Sequence, residues 1–217
     1  MARFTNRRDA GQRLAGELSE YANQEDVVVL GLPRGGVPVA FEVSKALHAP
    51  LDVFVVRKLG APGNPELAMG AIASGGVRVV NAGVVDRLGI SDEAIGRVTE
   101  EERAKLQQRE EVYRGARPGV DLEGKTVILV DDGLATGATM RAAVSALREH
   151  GPRKIVMGVP TAPPETCAEF EEIVDESICL TTPYPFFGVG GAYRDFSQTT
   201  DEQVRDLLER ADQSTAA

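Results

Sequence analysis

The sequence predicts an α/β fold in which helices cover a doubly wound, mostly parallel sheet. Largely apolar runs at Val27–Leu30, Val127–Val130 and Lys154–Val159 are typical of strands buried on both faces. Segments with helical periodicity alternate with these runs, which is the pattern of parallel α/β proteins. The chain has 217 residues, of which 42% are hydrophobic, so it is long enough for a single domain with a sizeable core.

Local patterns predict each element in turn. Helical spacing or capping residues predict helices through Ala10–Tyr21, Val37–His48, Ser91–Gly115, Ala138–His150, Glu165–Glu172 and Thr200–Ala211. Apolar patterns predict further strands at Asp52–Val56 and Ile173–Leu180. The many Gly and Pro residues of Arg57–Gly76 predict a loop or an irregular hairpin, with a short strand at Val77–Val80.

The long charged helix Ser91–Gly115 has two interpretations. Ser91 and the acidic residues after it are suited to a helix N-terminus. The apolar stripe is thin and consists of Ile95, Val98, Leu106 and Tyr113. A solvated surface helix is slightly favoured over a helix that packs on a second subunit.

Composition restricts the function. The net charge of −9 argues against a general nucleic-acid binder, and the apolar runs are too short to span a membrane. The first residues lack an apolar signal core, so the expected location is cytoplasmic. Cys167 and Cys179 are expected to be reduced and partly buried, without a metal or catalytic role. An anionic substrate would require cations supplied locally by Arg, Lys and Mg²⁺.

The segment Val127–Thr139 carries the strongest functional signal. A buried strand is followed by Asp131 and Asp132, then by a turn rich in Gly and Thr, and then by a helix N-terminus. Amides of such a turn and helix start suit a phosphate dianion, and the carboxylates can accept hydrogen bonds from ribose hydroxyls. The alternative is an ordinary strand–turn–helix unit with a solvated Asp pair.

This run closely resembles the phosphoribosyl pyrophosphate (PRPP) signature of type I phosphoribosyltransferases. The resemblance implies that family's doubly wound sheet, with a small hood and flap on a single domain that covers residues 1–217. It also implies that Asp131 and Asp132 hold the ribose hydroxyls of PRPP and act in catalysis. The implied ligands of the 5′-phosphate are Gly133, Leu134, Ala135, Thr136, Gly137, Ala138 and Thr139.

A second loop with anion-binding character follows the strand Val27–Leu30. Its paired glycines expose amides, and Arg34 adds a forked cation, although a plain turn between strand and helix is the alternative. In the resembled family this loop binds pyrophosphate and often contains a non-proline cis peptide, which by position would be Pro33–Arg34. The implied pyrophosphate ligands are Pro33, Arg34, Gly35, Gly36 and, from the next loop, Arg57.

Two further segments match the resemblance in family order. A flap at about 57–76 would cover the reacting centre and exclude water, with Lys58 and Glu66 as catalytic candidates. Glu66 has the alternative of a solvated loop carboxylate. An aromatic hood at about 181–197 would stack a nucleobase on Phe186 or Phe187, and a satellite apolar cluster is an equal alternative.

The resemblance implies Mg²⁺-dependent transfer of a 5-phosphoribosyl group from PRPP to a nitrogenous acceptor, as in nucleotide salvage. It implies no direct protein-bound metal beyond Asp131 or Asp132, and a homodimer. Charge and the short apolar runs predict no nucleic-acid or membrane partner. Ala135 replaces the Asp that 6-oxopurine enzymes carry, and Arg57-Lys58 is similar to the adenine enzyme. A PRPP-sensing regulatory protein is the alternative function, and an enzyme with a non-nucleobase acceptor, or one that hydrolyses a ribosyl phosphate, is a third.

Overall fold

A computed structural model describes residues 3–115 and 117–215 of the protein. The strands of this part, numbered along the chain, are β1 (Val27–Gly31), β2 (Leu51–Val53), β3 (Val56–Ala61), β4 (Asn64–Ala73), β5 (Arg78–Val80), β6 (Thr126–Val130), β7 (Lys154–Thr161) and β8 (Glu176–Thr181). The helices are α1 (Arg7–Glu17), α2 (Gly36–Leu47), α3 (Ala82–Leu88), α4 (Asp92–Arg114), α5 (Ala138–Arg148), α6 (Pro164–Glu171) and α7 (Asp201–Thr215).

The centre of the fold is a parallel sheet with strand order β2-β1-β6-β7-β8. The predicted fold class is therefore confirmed. The chain first passes from β1 to β2 on one side and later places β6 on the other side of β1. The connections after β1 and β6 therefore run in different directions from the boundary between these two strands. In open α/β sheets, ligands bind at such a switch point, beyond the carboxyl ends of the strands.

Alternate residues of the central strands enter two different cores. Val27 and Val29 of β1 pack in a core with α1, α2 and α7, whereas Val28 and Leu30 pack in a core with α5 and α6. Successive side chains of a strand point to opposite faces, so a continuous apolar run is what a sheet covered on both faces requires. This burial holds the ends of β1 and β6 in register beside each other.

The segment after β2 is more regular than its Gly and Pro content indicates. It forms a second sheet with antiparallel strand order β3-β4-β5, of which β4 is ten residues long. The expectation of a mostly irregular loop is therefore wrong, and the irregular hairpin is confirmed. The register shifts around Gly60, where a Cβ atom would lie 2.6 Å from the carbonyl oxygen of Pro65. Close backbone approach at this bulge requires glycine.

Helix α4 packs one of its faces on this second sheet, and the opposite face of the helix is exposed. Ser91 caps its N-terminus by accepting a hydrogen bond from the Ala94 amide at 3.3 Å, as predicted. Leu106 and Tyr113 of its apolar stripe are buried within the chain, and Arg114 pairs with Asp52 of β2 at 2.8 Å. The thin apolar stripe thus packs within the chain, and much of the remainder of the helix is exposed, as expected of a surface helix.

A hood is formed by the first described residues together with the segment between β8 and α7. The Phe4 amide donates to the Ala192 carbonyl and the Arg194 amide donates to the Phe4 carbonyl, both at 2.8 Å, so the first residues pair with the segment after β8. The rings of Phe4 and Tyr193 are buried against each other, with centroids 5.6 Å apart. The pairing of the first residues with this segment was not predicted from the sequence.

Cys167 of α6 and Cys179 of β8 form a disulfide bond, with their Cα atoms 6.5 Å apart. The expectation that both thiols are reduced is therefore wrong. The two residues are only 12 positions apart in sequence, and α6 packs directly on β8, which brings the side chains together. In the described residues, no helix combines the length and apolarity needed to span a membrane.

Phe170 of α6 offers a test of the second core, because its ring is fully buried under the loop that follows β6. We expect Phe170→Ala to lower the free energy of unfolding by about 3–5 kcal/mol through lost burial and a residual cavity. Phe187, 88% exposed, provides the control, since Phe187→Ala should change that free energy by about 0.5 kcal/mol at most. Urea unfolding measures both, and equal losses in the two variants would contradict the packing.

Candidate functional site

The loop Gly133–Thr139, here called the phosphate loop, connects β6 to α5. It needs glycine at two positions: Gly133 has φ 153° and Gly137 has φ 69°. A Cβ atom at Gly137 would lie 2.7 Å from the ring of Phe170, and one at Gly133 would lie 2.6 Å from Val189. Any larger residue at either position would clash, so the loop conformation depends on both glycines.

Hydrogen bonds with neighbouring elements hold the phosphate loop in place. The hydroxyl of Thr166 donates to the Ala135 carbonyl at 3.1 Å, and Arg141 donates to the Thr136 carbonyl. The Leu134 amide donates to the carbonyl of Thr161 in β7 at 2.9 Å. Thr136 and Thr139 remain exposed, and the first amides of α5 lack acceptors within the helix. The loop thus leaves two threonine hydroxyls exposed at a helix N-terminus, an arrangement that suits phosphate.

The acidic pair stands between β6 and this loop. Asp132 forms an ion pair with Arg7 of α1, with Nε and Oδ2 2.8 Å apart and the two side chains only 14% and 12% exposed, respectively. The hydroxyl of Tyr193 donates to the Asp132 carbonyl at 2.5 Å. Asp131 accepts a hydrogen bond from the Asp132 amide at 2.8 Å. Hood and N-terminal residues therefore fix the position of the acidic pair.

The loop after β1, residues 32–36, meets the acidic pair directly. Its peptide bond Pro33–Arg34 is cis, as the family resemblance implied. A Cβ atom on Gly35 would lie 2.0 Å from Oδ2 of Asp132, and one on Gly36 would lie 2.7 Å from the Val130 carbonyl oxygen. The paired glycines thus bring two predicted anion-binding loops into contact.

A cavity of about 210 Å³ lies beside this contact. Arg34 and Arg57 both line it, together with Thr139 of the phosphate loop, so three residues predicted from separate segments converge there. Helix α4 contributes Arg109 and Tyr113 to the same cavity. Three guanidinium groups around one cavity form a strongly cationic recess in an acidic protein.

The structure does not bring Lys58 and Glu66 to this recess. They pair with each other on the β3–β4 hairpin, with Nζ and Oε2 3.7 Å apart, and Glu66 is 94% exposed. Arg57, at the start of the same hairpin, is instead held by Glu102 of α4. Only one of the three predicted flap residues therefore reaches the cavity.

The predicted aromatic pair lines a different cavity of about 230 Å³. Phe186 is half-buried there and Phe187 is exposed, and the remaining lining comes from the hood, from Thr181 at the end of β8 and from Arg3 and Phe4. Residues of the phosphate loop do not line it. The hood nevertheless contacts that loop elsewhere, because Val189 packs over Gly133.

A family model described as phosphoribosyl transferase domain matches residues 3–193 of the chain. The chain belongs to this family. The crystal structure of TT1426 from Thermus thermophilus is 44% identical in sequence, with a TM-score of 0.85 over 96% of this chain and 98% of that one. The type I phosphoribosyltransferase assignment from the sequence is thereby confirmed.

Two other bacterial proteins are similar in sequence to the chain. A protein of Mycobacterium tuberculosis (strain ATCC 25618 / H37Rv) with the provisional name phosphoribosyl transferase is 50% identical over 97% of this chain and 47% of its own length. The chain thus spans about half the length of that curated relative. "Bifunctional protein PyrR 1" of Lactiplantibacillus plantarum is 59% identical over 46 residues, which are 21% of this chain and 26% of that protein.

Sequence reasoning missed two arginines of this phosphoribosyltransferase site. Arg7 contacts Asp132 across 125 positions of sequence, and Arg109 reaches the cavity from a helix that was interpreted as surface. The spacing of Arg109 and Tyr113, four residues apart, places both on one helical face and was an available signal. No comparable sequence pattern indicated the role of Arg7, because its approach to the acidic pair depends on the packing of the hood.

The electrostatics of the acidic pair are unusual. Burial raises the pKa of Asp131 well above its ordinary value, and the neighbouring Asp132 carboxylate raises it further. Burial also raises the pKa of Asp132, against the opposing effect of the Arg7 guanidinium. Asp132 is therefore the better candidate for the ionised member, and Asp131 for a group that holds a proton.

Asp131→Asn tests this assignment. The unfolded carboxyl titrates near 3.8 and the folded one higher, so between the two values the folded state binds more protons and stability falls as pH rises. The amide removes that dependence, and we therefore expect Asp131→Asn to raise the unfolding free energy at pH 7 relative to wild type. Denaturant unfolding between pH 4 and pH 8 measures the effect.

Asp132→Asn is the matched comparison, because it leaves Arg7 charged without its carboxylate and should destabilise the protein. A pH profile of Asp131→Asn that superimposes on the wild-type profile would contradict the raised pKa.

Proposed function

We propose that the protein transfers a 5-phosphoribosyl group from PRPP to a nitrogen nucleophile and releases pyrophosphate. One observation carries the proposal: the loop with the cis Pro33–Arg34 bond, the acidic pair and the phosphate loop meet at the β1–β6 switch point. These are the groups that a phosphorylated sugar with a pyrophosphate substituent requires. Family membership supports the reaction class.

In this proposal the phosphate loop holds the 5′-phosphate, a remote handle whose binding energy orients the reacting carbon. Asp132, ionised and held by Arg7, accepts hydrogen bonds from the ribose hydroxyls, and its charge favours the positive charge that develops on the ring. Arg34 and Arg57 offset the negative charge of the departing pyrophosphate. The anomeric carbon–oxygen bond breaks as the acceptor nitrogen bonds to that carbon.

The acidic pair fits a Mg²⁺ ion that is held mainly through the substrate. Among the described residues, no group of three or more His, Cys, Asp or Glu side chains could hold a metal ion. Two carboxylates at the end of β6 match the one or two protein ligands that Mg²⁺ commonly takes beside substrate phosphates. When bound, Mg²⁺ would supply charge compensation for the pyrophosphate. Asp131 or Asp132 would be its protein ligand.

Lys58 and Glu66 enter the proposal as flap residues. Their mutual ion pair is exposed, so it would be lost at little energetic cost if the tip of the β3–β4 hairpin moved toward the cavity. Lys58 would then reach the pyrophosphate, and Glu66 would serve as an acid or base at the acceptor. Closure of such a hairpin would also exclude water from a sugar that is easily hydrolysed.

The acceptor is proposed to lie under the hood. Phe186, half-buried at the rim of the hood cavity, offers a face for a flat ring, with Phe187 beside it. Ala135 provides no carboxylate to meet a 6-oxopurine, which favours other acceptors. A PRPP-sensing protein without turnover is the second candidate function, because the loops proposed to bind PRPP do not themselves require an acceptor.

Calorimetric binding of PRPP with Mg²⁺ tests the site. Asp132→Asn should weaken the affinity by about tenfold or more, since it removes a charged hydrogen-bond acceptor. Asp86→Asn on the exposed face of α3 is the control and should bind as wild type. Circular dichroism verifies that both variants are folded, and unchanged affinity in folded Asp132→Asn would refute the assignment.

Turnover requires a second assay. We expect acceptor-dependent release of pyrophosphate when wild-type protein, PRPP and Mg²⁺ are incubated with a panel of nucleobases and related nitrogen nucleophiles. If the protein binds PRPP but releases pyrophosphate with none of the acceptors in the panel, the result would contradict the transferase proposal and favour a PRPP-sensing function.

A further inference from the structure

The carboxylate of Asp201, the first residue of α7, is surrounded by donors from other elements. Arg109 of α4 donates to both oxygens, at 2.9 Å to Oδ1 and 3.1 Å to Oδ2. The hydroxyl of Tyr113 also donates to Oδ1 at 2.9 Å, and the guanidinium of Arg34 lies 3.9 Å from the same oxygen. Two cations and a hydroxyl thus converge on one carboxylate oxygen.

A phosphate oxygen would accept the same set of donors. Guanidinium groups bind carboxylate and phosphate with the same forked geometry, so a site built for one is chemically suited to the other. Burial and the hydrogen bond to Asp201 raise the pKa of Tyr113 to about 12, so its hydroxyl stays a donor at neutral pH. Asp201 therefore behaves as an internal anion in a phosphate-like position.

The surrounding charge balance favours an additional anion. The 210 Å³ cavity adjoins a second cavity of about 340 Å³, and Arg57 and Arg109 line both. Four cations face these cavities, Arg34, Arg57, Lys105 and Arg109. The carboxylates paired with them are Asp201 and Glu102, so two positive charges remain in excess. These excess positive charges lie together around the two cavities, although the net charge of the protein is −9.

We propose that Arg109 of α4 is a pyrophosphate-binding residue and that Asp201 competes with pyrophosphate for Arg109 and Arg34. The proposal rests on the proposed function, in which Arg34 binds the pyrophosphate group of PRPP. An incoming pyrophosphate oxygen takes the donors of Arg109 and Tyr113, and the Asp201 carboxylate turns to solvent, to which it is already partly exposed. Helix α4 and the start of α7 thereby become part of the substrate site.

Inorganic pyrophosphate, titrated calorimetrically into the full chain, is the first probe. Arg109→Gln should weaken pyrophosphate binding by about tenfold through the loss of a charge-assisted contact. Asp201→Asn should strengthen it by roughly threefold to tenfold, because a competing charge is removed. The N-cap of α7 is retained in that variant, since Thr200 and not Asp201 accepts from the Gln203 amide.

Arg103→Gln is the matched control, because Arg103 lies on the same helix, pairs with Glu100 at the surface and lines neither cavity. Equal pyrophosphate affinities of Arg109→Gln and Arg103→Gln would overturn the role of Arg109. An Asp201→Asn affinity at or below the wild-type value would overturn the competition. These two variants change affinity in opposite directions, which general destabilisation of the fold would not produce.

Ribose 5-phosphate is the second probe and separates this inference from the proposed function. It occupies the phosphate loop and the acidic pair only, so its affinity should be the same in wild type, Arg109→Gln and Asp201→Asn. A wild-type protein that binds pyrophosphate but not ribose 5-phosphate would refute the proposed function and leave the result for Arg109 standing. Loss of ribose 5-phosphate binding in Arg109→Gln would overturn its assignment to pyrophosphate.

Discussion

The contact between the Arg-Gly-Gly bend after β1 and the acidic pair after β6 is the constraint on which the rest of the site depends. Side-chain atoms at Gly35 or Gly36 would overlap Asp132 or the end of β6, so the two loops meet only because both positions lack a Cβ atom. Parallel pairing of β1 with β6 aligns the strand ends that carry these loops. Anion donors and ribose acceptors can then face one ligand, which neither loop could hold alone.

Charged side chains at this edge pair with groups from distant parts of the chain. Arg7 of α1 neutralises Asp132, and Asp201 of α7 interacts with Arg109 and Arg34. Both helices are terminal elements whose apolar faces pack on the same core as β1. An excess of carboxylates beside a buried acidic pair would be costly, and an excess of arginines without an anion would repel. The terminal helices thus preorganise the site as well as complete the fold.

Several elements were predictable because their signals are local. Continuous apolar runs identified β1 and β6, and Ser91 identified the start of α4. Composition failed where strand pairing decided the outcome. The ten-residue strand β4 lies in a segment rich in Gly and Pro, and its antiparallel partners on both sides override that local preference. Cys167 and Cys179 looked like independent thiols until α6 packed on β8. Lys58 and Arg57 are adjacent in sequence, yet only Arg57 turns toward the cavity.

By itself the sequence determined the fold class, the order along the chain of the strands in the parallel sheet and the chemistry of two loops, because strand burial, glycine conformations and acidic doublets are encoded within a few neighbouring residues. Tertiary structure alone decided that Arg7 would meet Asp132, that Arg109 would join Arg34, and that the hood would be closed by Phe4. Each of these contacts joins residues far apart in the chain. Such contacts follow from how helices pack on a sheet, and no local pattern specifies that packing.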